Sequence, residues 1–490
     1  MFPRLIFATL MLWSILAGNS FAQTTHYVAP PGEATASTAD GSETKPWATI
    51  ADALKNAIGG DTILLMDGDF GMLKIYGVVF DTPVVIRSLN AKNAHLESIY
   101  VLGGSRNLTF QNLSVWPNTP NTKIGKLVES LADTSHITIQ GLDIRGGGKL
   151  SQEYLNWTAN EWSSKNEGVF LTGPYSTVRD NTLIGVTFGV TTVGEGAVVT
   201  GNIIEGFSGD GLRGLGNQSV FRGNRVINSI TIDDNHDDGF QSWATSGSVD
   251  GLVIENNTFI EWNASETHPL RGAMQGIGLF DGFYDNLIIR NNVVSVTYYH
   301  GISVYGGRNA TIVNNTLVSS GRIDNMVSWI GVFDHRNGQR AQNVLVANNV
   351  APNFVLGSND MDNVVLTDNV YISDPFSQFE NAGNYDFRPT VDSGFVDKGN
   401  PDHAPAFDIL GNARPAGAGP DVGAYELGGT ATGGNGTSTD SGTATGGGST
   451  TDGTTTSTDS GTTTDGNSGR RGNSWGPKWE TPPGKDKKNK

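Results

Sequence analysis

Residues 288–318 read IIRNNVVSVTYYHGISVYGGRNATIVNNTLV, and one short pattern stands in them twice. IIRNNVVS (288–295) and TIVNNTLV (311–318) each set alternating apolar residues on both sides of an Asn, with GISV (301–304) between the copies. Alternation over a few residues marks a strand with one buried face, and Asn tolerates the left-handed backbone of a tight bend. The segment recurs as LTFQNLSV (108–115), ITIQGLDI (137–144), TVRDNTLI (177–184), VVTGNIIE (198–205), VFRGNRVI (220–227), VIENNTFI (253–260), VLVANNVA (344–351) and VVLTDNVY (364–371). The central Asn, Gly in one copy, falls at 112, 141, 181, 202, 224, 257, 292, 315, 349 and 369, at intervals from 20 to 40.

A short unit whose spacing stretches by insertion predicts a solenoid, in which each coil packs only on its neighbours. A second strand runs ahead of seven of these Asn positions, by 13 to 18 residues: GVFL (168–171), GVTT (189–192), GLRG (211–214), GFQS (239–242), GIGL (276–279), GISV (301–304) and GVFD (331–334). A β-sandwich would explain the alternation but not this double register. The expected fold is therefore all-β, a parallel β-helix with strands paired coil over coil and the Asn side chains stacked into a hydrogen-bonded ladder.

The ends and the flanks follow the same logic. WATIADALKNAI (47–58) reads as an amphipathic helix stopped by Gly59-Gly60, placed to cap the first coil and cover an open sheet edge. Residues 383–427, ending PAGAGPDVGAYEL, are expected to close the other end. Ahead of the body, Arg4, the apolar run Leu5–Leu16 and Ser20-Phe21-Ala22 fit a secretory signal peptide over 1–22, too short in its apolar core to span a bilayer. The predicted organisation is signal peptide 1–22, β-helix 23–427, a Gly/Thr/Ser/Asp-rich disordered linker 428–469 and a basic tail 470–490 that could hold an acidic cell-surface polymer. The protein is expected outside the cytoplasm, extracellular or periplasmic, with no transmembrane segment. It has no cysteine, so it relies on its core rather than on disulfides. A capped solenoid is compatible with a monomer.

Residues 23–427 carry 24 Lys and Arg against 43 Asp and Glu, a net charge of −19. Such a body argues against a nucleic-acid partner. It also repels an acidic glycan unless local arginines or cations intervene.

The repeats, the opening HYVAPPG…DGSETKPWATIADAL…GDTILLMDGDF and the closing DILGNARP…GPDVGAYE resemble the pectate-lyase-like superfamily of right-handed parallel β-helix proteins over about residues 25–427. That superfamily includes pectate and alginate lyases, polygalacturonases, mannuronan C5-epimerases and phage tailspikes, so the resemblance speaks for the fold more than for the reaction. Asp234-Asn235-His236-Asp237 looks like the Asp-Pro-His-Asp/Glu element of alginate C5-epimerases, with Asn235 in the place of Pro and no Tyr shortly before the His. The resemblance implies an acid/base role for His236 and an acidic, uronate-containing polysaccharide as partner.

Alternation also sorts the second set of strands by face. With the residue after Gly turned inward, the outward set includes Arg213, Asp237, Gln241, Trp243, Tyr299, Ser303, Tyr305, Phe333 and His335, with Arg271, Gln275, Tyr298 and His300 close by. Aromatic and polar groups in such a stripe suit a glycan groove. Lyase and epimerase chemistry begins by removing the C5 proton beside a uronate carboxylate, which needs a base, a cation on the carboxylate and a proton donor. His236 is the candidate base, Arg271 or Arg213 the neutralising group and Tyr299 or His300 the acid, with Asp237 beside them. Arg213, Gln241, Trp243, Gln275, His300, Tyr305 and His335 are the candidate substrate contacts. Asp234 and Asp238 are candidate Ca²⁺ ligands, although the cluster IDDNHDDGFQSW (232–243) lacks EF-hand spacing and its aspartates also suit a turn. Paired aspartates keep a glycoside hydrolase open. A non-catalytic glycan-binding or adhesion protein would use the same stripe.

Overall fold

The computed structural model describes residues 23–33, 38–120, 122–264, 268–323, 326–358 and 362–430. The expected signal peptide 1–22, nearly all of the expected linker 428–469 and the whole of the tail 470–490 lie outside them.

Each coil is built from three strands, as in Leu212–Gly214, Val220–Arg222 and Arg225–Ser229. From Met72 onward the first two strands of each coil join a 24-stranded sheet and the third joins a 12-stranded sheet; Thr25–Val28 and Thr62–Leu65 extend the larger sheet at its N-terminal end, and pairing within both sheets is parallel. The antiparallel pair Phe379–Asn381 with Asp386–Pro389 lies apart from both sheets. Inward positions stack in files. Val190, Leu212, Phe240, Ile277, Ile302 and Ile330 are register partners on successive coils and all are buried. Burying each such side chain stabilises the fold by roughly 1.5–3 kcal/mol, which makes the files the main cohesive element in a chain without disulfides.

The Asn ladder forms, with its labour divided. Asn181, Asn202, Asn224, Asn257, Asn292, Asn315 and Asn349 each pass a side-chain amide hydrogen to the Oδ1 of the next, at 2.8–3.0 Å, and Asn369 accepts the last. The left-handed backbone belongs to the residue just before the ladder Asn: Asp180, Gly201, Gly223, Asn256, Asn291, Asn314, Asn348 and Asp368. Asn112 and Gly141 are left-handed themselves, so they match that preceding position, and the buried Leu113 and Leu142 stand where the ladder would run. The ladder therefore begins at Asn181, whose Oδ1 accepts from the backbone N–H of Leu142.

The N-terminal helix is shorter than the pattern predicts. It spans Ile50–Asn56, because the Thr49 side chain caps it by accepting from the Asp52 N–H, while Trp47 forms a parallel bridge with Val28. Ile50, Ala53 and Leu54 join the core at the open end of the first coils. The C-terminal segment departs from expectation. Phe379, Phe387, Phe395, Val422 and Ala424 pack on Val293, Val318 and Val350, outward residues of the 12-stranded sheet. Asn314 donates to the carbonyls of Asp421 and Gly423, Asn348 to that of Asn400. The segment thus folds back along the side of the coils, where apolar outward residues needed cover.

Candidate functional site

Seven strands of the first face carry the site: β1 (Glu167–Leu171), β2 (Val190–Thr192), β3 (Leu212–Gly214), β4 (Asp238–Asp250), β5 (Gln275–Asp285), β6 (His300–Tyr305) and β7 (Trp329–Phe333). Their outward positions align as Phe170, Thr191, Arg213, Gln241, Gly278, Ser303 and Gly331. The last copy is displaced by two residues from the sequence reading. Gly331 pairs with Ser303, not with Gly301, so Phe333 faces Tyr305 and Trp329 comes beside His300.

Glycine at two of these outward positions has a packing reason. A Cβ on Gly278 would lie 2.3 Å from the Phe280 ring, and one on Gly331 would lie 2.6 Å from the Phe333 ring. Each ring folds back over the glycine two residues before it. The result is a run of flat aromatic surface: Tyr305 stacks on Phe333 at 4.6 Å, and Tyr298, Tyr299, Phe280 and Trp329 surround His300 at 4.3–5.9 Å.

The ionisable centre sits where β3 and β4 begin. His236 Nδ1 is 2.8 Å from the Asp238 carboxylate, which also accepts from Gln241 at 3.1 Å. Asp210, one residue ahead of Gly211, accepts from Arg213 Nε at 2.6 Å and from the Asp238 N–H. Arg213 lies over the Phe188 ring at 3.5 Å and 5.7 Å from that of Trp243. Asp238 is fully buried and its Oδ1 has no hydrogen-bond partner, nor has the buried Oε1 of Gln275, its partner on β5.

These contacts set the protonation states. The bond to Asp238 raises the His236 pKa, with the charges of Asp210 and Asp237 adding to it, while burial raises that of Asp238 to about 7. The pair therefore holds a proton close to neutral pH. Burial, with help from the charge of His236, pushes His300 down to about 3, so it is neutral there, and its Nδ1 lies 2.8 Å from the Ser303 hydroxyl. Burial lifts Tyr305 to about 12.

The structure gathers His236, Asp238, Arg213, Gln241, Gln275, Tyr299, His300 and Tyr305 on β3 to β6 and the turns before them. Trp243 stands at the edge of the group, opposite Asp281 on β5. Asp237 is not on the stripe. It is 2% exposed, its carboxylate accepts from Ser229 and Thr231, and burial raises its pKa to about 8. The outward assignment fails there because the alternation of β4 begins only at Asp238. Arg271 is committed elsewhere: with Arg322 it holds the buried carboxylate of Glu261, which also accepts from Thr297. His335 stacks on Phe283 at 4.5 Å, further along the stripe. Sequence reasoning missed Asp210, Phe280 and Trp329. The Asp-x-x-Arg spacing of Asp210 and Arg213 was the available signal for the first.

Asp234 and Asp238 do not form a cation site. Asp234 is exposed, Asp238 is buried against His236, and Asp210 already holds a guanidinium. Among the described residues no three His, Asp or Glu side chains are arranged to hold a metal ion. The donors fit Ca²⁺ poorly, and no step is derived through one.

Residues 84–317 match the family model described as "Right handed beta helix region". The fold of the chain is a right-handed parallel β-helix. No curated protein sequence matches it. Among solved structures it is similar to the pectate lyase Pel9A, with 17% identity over 83% of this chain and 97% of that one and a TM-score of 0.43. It is similar to the A-module of a mannuronan C-5 epimerase from Azotobacter vinelandii, with 13% identity, 66% and 93% coverage and a TM-score of 0.43. A lacto-N-biosidase from Eubacterium ramulus gives 13% identity, 71% and 67% coverage and a TM-score of 0.41.

Proposed function

We propose that this is an exported carbohydrate-active protein that removes the C5 proton of a uronate unit in an acidic polysaccharide, as a lyase or a C5-epimerase. The observation that carries the reading is the imidazole of His236, pinned at Nδ1 by buried Asp238 and two-fifths exposed beside an aromatic stripe. Pinning at Nδ1 leaves Nε2 as the atom for proton transfer, and the carboxylate behind the ring raises the imidazole's basicity, which suits a general base. His236 takes the proton, and the C–H electron pair passes into the uronate carboxylate as an enolate. The pair then returns either to expel the C4 oxygen as a double bond forms, or to accept a proton on the opposite face. Tyr299, tilted against neutral His300 with ring centres 4.3 Å apart, is the proton donor for either outcome. Arg213, not Arg271, is the guanidinium placed to offset the carboxylate.

The test is incubation with a panel of uronate polymers, following ultraviolet absorbance of the new double bond, with proton NMR in D₂O for exchange at C5. Either signal, lost in His236→Ala, supports the reading. Full turnover in His236→Ala ends it. The second reading, glycan binding without chemistry, draws on the density of aromatic rings around His300. Firm binding with neither signal on any polymer would favour it.

A further inference from the structure

A concavity lies away from His236, in the insertion between Arg145 and β1. It is a cavity of about 350 Å³ lined by Trp116 and Trp157 together with Leu150, Asn118, Lys149 and Glu153. Its volume falls in the range of small-ligand sites. The chemistry proposed above uses none of these residues.

The walls are braced from several sides. Trp116 stacks with His95 at 4.6 Å and has the Arg145 guanidinium 5.1 Å from its ring, and Arg145 is held by both carboxylate oxygens of Asp143. Trp157 lies 3.8 Å from the Lys165 ammonium and meets the edge of Trp162. A Cβ on Gly147 would lie 2.6 Å from the Trp157 ring, so glycine lets the chain pass behind the indole. Buried Asn166 ties the two loops together, accepting from the N–H groups of Ile124 and Gly125 and donating to the carbonyls of Thr122 and Gly146. Thr158 and Glu161 close a capping box on the short helix Ala159–Trp162.

Charge and position narrow the occupant. Neither Lys149 nor Lys123 on the adjoining loop forms an ion pair among the described residues, in a body whose net charge is −19. The insertion ends at Asn166, next to the first residue of β1, three coils or about 14 Å along the axis from β4. We infer that this cavity is a second carbohydrate site, which holds a pyranose ring of an acidic glycan. Its indoles take the C–H face of the sugar, Asn118 and Glu153 its hydroxyls, and Lys149 its carboxylate. The choice of ligand rests on the function proposed above, but the site is separate from the reacting one.

The experiment uses the full chain carrying His236→Ala, so that no turnover intervenes. Hydrogen–deuterium exchange is followed with and without uronate oligosaccharides, and affinity is measured by calorimetry. Protection of residues 146–158 by ligand is expected. Lys149→Glu should remove it and weaken binding in that segment about tenfold, and Trp116→Ala should do the same. A neutral glucan oligosaccharide should give no protection. If Trp116→Ala does not fold, Lys149→Glu at its exposed position decides the matter, with its melting temperature as control. No protection of 146–158 at saturating uronate, protection unchanged in Lys149→Glu, or equal protection by the neutral glucan overturns the inference. A failure of His236-dependent turnover shows in a different assay, so the two ideas fall separately.

Discussion

Two buried polar assemblies run along this β-helix, one at the corner before the 12-stranded sheet and one on the aromatic face. At the corner, the ladder amides from Asn181 to Asn349 each donate both to a backbone carbonyl and to the next Asn, and each Oδ1 accepts in turn. On the face, Asp238 Oδ1 and Gln275 Oε1 are as deeply buried and have no partner, and Asp238 is in contact with an imidazole that also feels the charge of Asp210. Burying a polar group without a partner costs roughly 1–3 kcal/mol, more for a charge. The ladder amides are fully satisfied and contribute stability, although Asn256 Oδ1 and Asn314 Oδ1 at the adjoining turns are buried without a partner. The unsatisfied assembly on the face persists against its cost, which is the pattern expected where groups are held ready for a reacting molecule.

That contrast can be broken first at the site. His236→Ala should lower turnover on a uronate polymer by roughly 10²–10⁴-fold while leaving the thermal midpoint close to that of the parent chain. A large drop in the midpoint would mean that the imidazole belongs to the structural class after all. Next in size is the ladder interior. Asn257→Ala strips acceptors from the N–H and side chain of Asn224 and donors from Phe221 and Asn292. It should cost about 3 kcal/mol or more in denaturant unfolding. The same change at Asn369, the last and only part-buried rung, should cost about 1 kcal/mol. Equal losses at the two positions would show that the ladder does not act as a stack.

A finer test concerns Asp237. Its pKa is raised to about 8 in the folded chain against an ordinary 3.8, so the native state binds the extra proton. Its contribution is present below the ordinary value and is lost as pH rises from about 4 toward 8. Asp237→Asn should therefore raise the melting temperature at pH 8 and make little difference near pH 4. A gain that does not depend on pH would refute a protonated Asp237.

Much of the architecture was legible because every coil repeats the same demand. One residue must turn left-handed and the next must stack its amide, and Asn satisfies both needs, which is why Asn112 was placed on the ladder although it makes only the turn. The aromatic stripe was legible from alternation up to Tyr305 and lost register at Gly331, where a bulge between His300 and Ile302 shifts the pairing. Arg271 was misassigned for a different reason. Its partner Glu261 lies outside any repeated motif, ten residues away in a loop, and nothing in spacing marks a buried carboxylate that gathers two arginines. The side-packed C-terminal segment was likewise hidden, because apolar outward residues such as Val293 and Val350 read as ordinary strand positions.

The direction of the ladder has a consequence for how the chain is made. Each rung receives its Oδ1 acceptor from the coil that follows it in sequence, so a coil just synthesised holds a backbone N–H and one amide bond that wait for the next coil. Each coil packs on its neighbours along the axis, and assembly of such arrays spreads from one unit to the next. Synthesis from the N-terminus therefore advances a single growing tip, at which each arriving coil closes the bonds left open by its predecessor and opens its own.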